Sequence, residues 1–173
     1  MNDYQRACEL KEETIANRRY IHEHAEVGLE LPQTRAYVME KLKEYGLEPK
    51  VCGAGVTATL GKAGKVLLLR ADMDALPMPE ESGESFACKD GIHNHACGHD
   101  FHAAMLLTAA KILKEKENEL EGTVKFMFQP AEETFEGKQE HDRAWNPGES
   151  QGGCGTGISC GSRKGTCGPG DVQ

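Results

Sequence analysis

The stretch HACGHDFHAAMLLTAAKILKEKE, residues 95–117, decides the fold. It opens with His95, Cys97, His99, Asp100 and His102 and continues as an apolar helical pattern. Asp100 is expected to cap that helix, with Phe101, Met105, Leu106, Ala109, Ile112 and Leu113 on one face. Upstream, KVLLLRAD at 65–72 is a continuous apolar run, the pattern of a strand buried on both faces. Downstream, Gly122 opens a second run, TVKFMFQ, which stops at Pro130. Strand, helix, strand in this order predicts a βαβ unit with a right-handed crossover. Asp72 and the PAEE stretch at 130–133 then lie beyond the carboxyl ends of strands, where open α/β sheets build their sites.

Further out, residues 4–22 carry a helical pattern, and a second helix follows Pro32 through Tyr37, Val38 and Leu42 to a stop at Gly46. VTATL at 56–60 is a strand candidate, separated from the next by the turn-like GKAG. With 173 residues, 38% of them hydrophobic, the chain can bury one real core without disulfides or a structural metal. A net charge of −8 argues against nucleic acid or an anionic membrane as partner. The polar start MNDYQRACELKEE does not read as a signal peptide, and no apolar run approaches the roughly 18 residues of a membrane span. The expected location is the cytoplasm, where most of the seven irregularly spaced cysteines are free thiols.

The α/β pattern ends at about residue 136. Residues 139–173 contain no Leu, Met or Phe and nine of the 20 glycines, so they can bury almost nothing and read as a disordered tail.

Cys97 as thiolate with a histidine two residues away suits Zn²⁺ or another borderline divalent ion, on irregular backbone preceding the helix. The plainer alternative is that His93, His95 and His99 are surface loop residues and Cys97 a small buried hydrophobe. Glu132 and Glu133 favour the metal: adjacent carboxylates after a buried strand need something positive between them. On extended backbone the two point in different directions, so one could bind metal while the other faces an activated water.

Four motifs now carry a resemblance. RRYIHEHAEVGLELPQT at 18–34, RADMDALPM at 70–78, HACGHDFHAAMLL at 95–107 and GTVKFMFQPAEE at 122–133 resemble, in order, those of the metal-dependent amidohydrolases. That family includes hippurate hydrolase, N-acyl-amino-acid amidohydrolases and auxin-conjugate hydrolases, and is related to aminoacylases and zinc carboxypeptidases. Ala25 stands where the family often has proline. The resemblance implies that Cys97, His99 and Glu133 are metal ligands of a two-metal centre (Zn, Mn, Co or Ni) and that Glu132 is the general base. It places Asp72, Asp74, His95, Asp100 and His102 in supporting positions around the ligands. It implies hydrolysis of the amide bond of an N-acyl amino acid, with a dipeptidase or desuccinylase of the same superfamily as the variant reading. A non-catalytic metal-binding remnant and a cysteine hydrolase are the readings from other classes; the second leaves the paired glutamates without a task.

The fold implied is α/β: residues 1–136 form part of the catalytic domain of a mixed-sheet metallohydrolase, with helices packed on the sheet. The lid domain is missing, and with it the further histidine ligands, specificity residues and the contacts of a full-length homodimer. A chain of this extent is expected to expose a strand edge and apolar faces, to fold poorly and to be inactive. Residues 137–173 have the character of a shifted reading frame. Codons CAA GAA CAT GAT CGA GCA TGG for Gln139–Trp145, read one base later, give KNMIEHG, which resembles the helix expected after PAEE in the family. The same shift permits a Tyr-His pair across the codons of Ile158 to Cys160, and one extra base near codons 136–138 would suffice. The synonymous codons are chosen, so a genuine Gly/Cys-rich tail with its own metal-binding role stays open.

Overall fold

The computed structural model describes residues 2–134, residue 136 and the short strand Gly155–Gly157. The remainder of the 137–173 segment, where the disordered tail was expected, lies outside the described residues; within that segment Gly155–Gly157 is a strand. In chain order the elements are α1 (Asp3–Glu9), α2 (Lys11–Glu23), α3 (Pro32–Glu44), β1 (Lys50–Cys52), β2 (Gly55–Gly61), β3 (Val66–Asp72), α4 (His99–Glu115), β4 (Thr123–Gln129) and β5 (Gly155–Gly157). The sheet runs β1-β2-β4-β3-β5. β2 is antiparallel to β1 and β4, while β3 is parallel to β4 and β5, so the sheet is mixed.

The βαβ unit is present as β3-α4-β4 with its two strands adjacent, Val66 opposite Thr123 through Asp72 opposite Gln129. The parallel register brings Asp72 and the chain after Gln129 to one end of the sheet. Phe126, Phe128, Leu106, Leu107, Val56, Val38, Leu42 and Ile21 fill the core, all fully buried. Gly61 and Gly122 let the outer ends of β2, β3 and β4 close together: a Cβ at Gly122 would stand 2.3 Å from the Lys65 carbonyl oxygen.

Four expectations need correction. The helix over 4–22 is two helices, broken at Leu10 (φ −85°, ψ 3°), where the chain bends and Leu10 turns into the protein. Asp100 does not cap α4; Gly98 does, in a left-handed conformation (φ 83°) and without a side-chain cap. The buried face of α4 carries Ala103, Leu106, Leu107 and Ala110, whereas Phe101 and Met105 are exposed. Phe101 instead lies under the Arg18 guanidinium, 4.4 Å from ring centre to carbon. β3 is not buried on both faces throughout: burial rises from Leu67, 40% exposed, to Ala71 and Asp72, both 0%, as the strand runs toward the PAEE turn.

Candidate metal centre

Three segments meet at the carboxyl ends of β3 and β4: the end of β3 with Asp72 and Asp74, the Cys97–Gly98 turn leading into α4, and the turn after β4. The donor atoms of Cys97, His99 and Glu133 all lie within 4.8 Å of one another. His99 and His102 belong to the first turn of α4, so the cluster straddles the helix start where a position ahead of the helix was expected.

His99 is oriented by its other nitrogen. Nδ1 lies 2.9 Å from the carbonyl oxygen of Asp74, which can only accept, so Nδ1 carries a proton and Nε2 is the nitrogen turned toward the carboxylates. Nε2 faces Glu133 Oε1 at 3.7 Å, Asp72 Oδ1 at 3.7 Å and Glu132 Oε2 at 4.0 Å. This arrangement of carbonyl, imidazole and open nitrogen is the usual one behind a metal-bound histidine.

The paired glutamates are held differently from expectation. Their backbone is a turn, not an extended strand, entered through Ala131 at φ 53° with its side chain fully buried. Left-handed backbone at a non-glycine residue persists only where its surroundings enforce it. Asp74 does so here: its carboxylate accepts the backbone N–H of Glu132 (3.0 Å) and of Glu133 (3.3 Å). Both glutamates consequently face His99 Nε2. Asp74 therefore steadies the imidazole through its carbonyl and the glutamates through its carboxylate.

Asp72, fully buried, accepts from Arg70 Nη1 (3.0 Å) and lies 2.6 Å from His102 Nδ1. Asp72, His99 and His102 form a second group whose donor atoms lie within 4.8 Å. Asp100 is engaged by α2, where its Oδ2 meets Arg18 and His22. His95 is 4% exposed, and neither ring nitrogen has a hydrogen-bond partner among the described residues. His93 pairs with Asp90 on the surface loop, as the plainer alternative had it. Cys97 is exposed, not a small buried hydrophobe.

The electrostatics call for a cation. The Glu133 hydrogen bond, then burial, push the Cys97 thiol up to about 12. For His99, burial opposes the charge, but the Asp74 hydrogen bond and the Asp72 and Asp74 carboxylates outweigh it and raise the imidazole to about 8. Burial also opposes ionisation of Asp74, yet His99 and the two backbone N–H groups hold it below the usual carboxylate range. Burial pushes His95 down to about 4. A thiol, an imidazole and a carboxylate in mutual reach are a fitting donor set for a borderline divalent ion.

Sequence reasoning assigned no part to Arg18, His22 or Glu80. Arg18 and His22 lie four residues apart on α2, and that i, i+4 pairing of polar groups on an otherwise inward stripe was the available signal.

The profile of Peptidase family M20/M25/M40 matches residues 68–153. The chain is 42% identical over 132 residues to the N-acetyl-L-cysteine deacetylase of Bacillus subtilis, covering 74% of this chain and 32% of that protein. It is 43% identical over 136 residues to the N-acyl-L-amino acid amidohydrolase of Geobacillus stearothermophilus, covering 76% and 37%. Among solved structures, it is similar to a Bacillus subtilis dinuclear metal binding peptidase from the M20 family, with a TM-score of 0.74 at 38% identity, covering 77% of this chain and 39% of that one. The chain thus spans about a third of the length of the curated relatives it matches.

Proposed function

The chain belongs to Peptidase family M20/M25/M40, and on that footing we propose that it is part of a metal-dependent amidohydrolase acting on N-acyl amino acids. The observation that carries this is the convergence of Cys97, His99 and Glu133 within 4.8 Å, with Glu132 beside them facing the same imidazole nitrogen. Divalent metal, two ions per complete site and drawn from Zn, Mn, Co or Ni, supplies carbonyl polarisation and acidifies water.

The chain's own residues do the rest. Cys97, His99 and Glu133 hold the ion, with Cys97 as thiolate and not as nucleophile. Glu132 takes a proton from the attacking water at its carboxylate and passes it to the leaving nitrogen as the C–N bond breaks. A carboxylic acid and an amino acid result. Asp74 and Asp72 keep the ligands aimed. Acyl preference, amino-acid preference and the contacts of a homodimer reside in the part of the relatives' length that this chain does not span. Among the described residues no helix is long and apolar enough to cross a membrane; a cytoplasmic setting is part of the reading proposed.

The test is Glu132→Gln in a version extended to the length of the relatives. Hydrolysis of an N-acetyl amino acid is abolished while bound metal is retained. Undiminished turnover by that variant removes Glu132 from the role. A metal-binding module without catalysis, supported by the donor trio lying wholly within this chain, would have no activity to lose.

A further inference from the structure

His22 is a buried side chain that the chemistry above does not use. It lies on α2, 6% exposed, with carboxylates at both ring nitrogens: Asp100 Oδ2 is 2.7 Å from Nδ1 and Glu80 Oε1 is 2.9 Å from Nε2. Asp100 Oδ2 also accepts from Arg18 Nε at 2.6 Å. Glu80 in turn accepts from Ser82 Oγ (2.5 Å) and from the backbone N–H of Cys88 (2.8 Å). Arg18, Asp100, His22 and Glu80 therefore form one chain of contacts across α2, α4 and the loop that follows β3.

The placement of this chain of contacts is informative. Asp100 immediately follows His99 in α4, whose first turn has no side-chain cap and begins at a left-handed glycine. The helix start is fixed from the side, through Asp100 to α2. The loop on the other side of the donors is closed by a backbone pair between Leu76 and Asn94 and held inside by Glu80. Cys97 and His99 thus sit between two anchors, Glu80 in the loop and Asp100 in the helix, and His22 joins them. The His95 ring lies 6.0 Å from the His22 ring, and the His95 carbonyl accepts Gly98 N–H at 3.0 Å, closing the turn that presents Cys97.

We propose that His22 is a positioning residue for the metal centre: by bridging Asp100 and Glu80 it sets the spacing of the Cys97 and His99 donors. This rests on Cys97, His99 and Glu133 being metal ligands. Groups that orient a ligand set without touching the ion typically contribute about 10–100-fold in metal affinity.

The experiment titrates the 173-residue chain with Co²⁺, reading the thiolate-to-cobalt absorption that only a cysteine ligand produces, with far-UV circular dichroism on the metal-free samples. Cys97→Ser identifies the band. His22→Ala weakens Co²⁺ binding about 10–100-fold at unchanged helix content, and His22→Asn, which keeps a donor toward Asp100, recovers part of it. If His22→Ala loses helix content, Glu80→Gln carries the test, since it keeps the shape and removes one charge of the bridge; it too must weaken binding. Wild-type affinity in a folded His22→Ala or in Glu80→Gln overturns the inference and leaves the ligand assignment standing. Absence of any Cys97-dependent band in the unsubstituted chain overturns the ligand assignment, and the role of His22 falls with it.

Discussion

Replacing Asp74 by alanine removes the acceptor for two backbone N–H groups and the carboxylate beside His99 in one step. Each hydrogen bond to a charged acceptor contributes about 1.5–3 kcal/mol, so the upper bound for the pair is about 3–6 kcal/mol. Two features reduce this. Glu132 and Glu133 have side chains 31% and 28% exposed, so water can reach their freed amides in part. The turn can also relax, since the left-handed Ala131 is no longer enforced, recovering some of the about 1–3 kcal/mol of strain held there. A loss of about 2–4 kcal/mol remains, a large share of the 5–15 kcal/mol typical of a domain. Urea unfolding of the metal-free chain measures it, with the midpoint falling at unchanged slope. Asp74→Asn keeps one acceptor oxygen and should lose about half as much, on the same hydrogen-bond scale. A loss below about 1 kcal/mol for Asp74→Ala would refute the idea that this carboxylate holds the glutamate turn, since it would match an ordinary surface change.

Leu106, fully buried between α4 and the sheet, is expected to cost about 2–5 kcal/mol on Leu106→Ala, whereas Phe101→Ala, on the exposed face, should stay within about 1 kcal/mol; equal losses by urea unfolding would contradict the revised helix face. Gly122→Ala sets a Cβ 2.3 Å from the Lys65 carbonyl oxygen, so the β3–β4 ends must part; a thermal midpoint equal to that of the unsubstituted chain would show that the close approach does not exist. The shifted-frame expectation for residues 137–173 is checked by resequencing codons 130–173 of the coding DNA: the extra base near codons 136–138 should vanish, and its persistence makes the Gly/Cys-rich segment a genuine product.

The βαβ unit was legible because its signals are local: two apolar runs, one amphipathic stretch, and Gly122 and Pro130 as boundaries. The location of a candidate site at the strand ends followed from that order, whereas Cys97, His99 and Glu133 were singled out as ligands by the resemblance; their donor atoms lie within 4.8 Å of one another. What sequence reasoning missed depends on tertiary contacts. The helix face of α4 was misplaced because Phe101 looks apolar in sequence, while in space it stacks on Arg18 near the surface. Asp100 looks like a cap by residue type and position, but its carboxylate is taken by Arg18 and His22 from a helix some eighty residues earlier. The glutamate turn could not be anticipated either, since the acceptor that shapes it, Asp74, is 58 residues from Glu132.

The central claim is that Cys97, His99 and Glu133 hold a divalent ion. X-ray absorption at the zinc edge, on the chain loaded with one equivalent of Zn²⁺, tests it most directly. The account predicts one sulfur neighbour at about 2.3 Å among nitrogen and oxygen neighbours, lost in Cys97→Ser. A shell of oxygen and nitrogen alone, or a sulfur that survives Cys97→Ser, would contradict it.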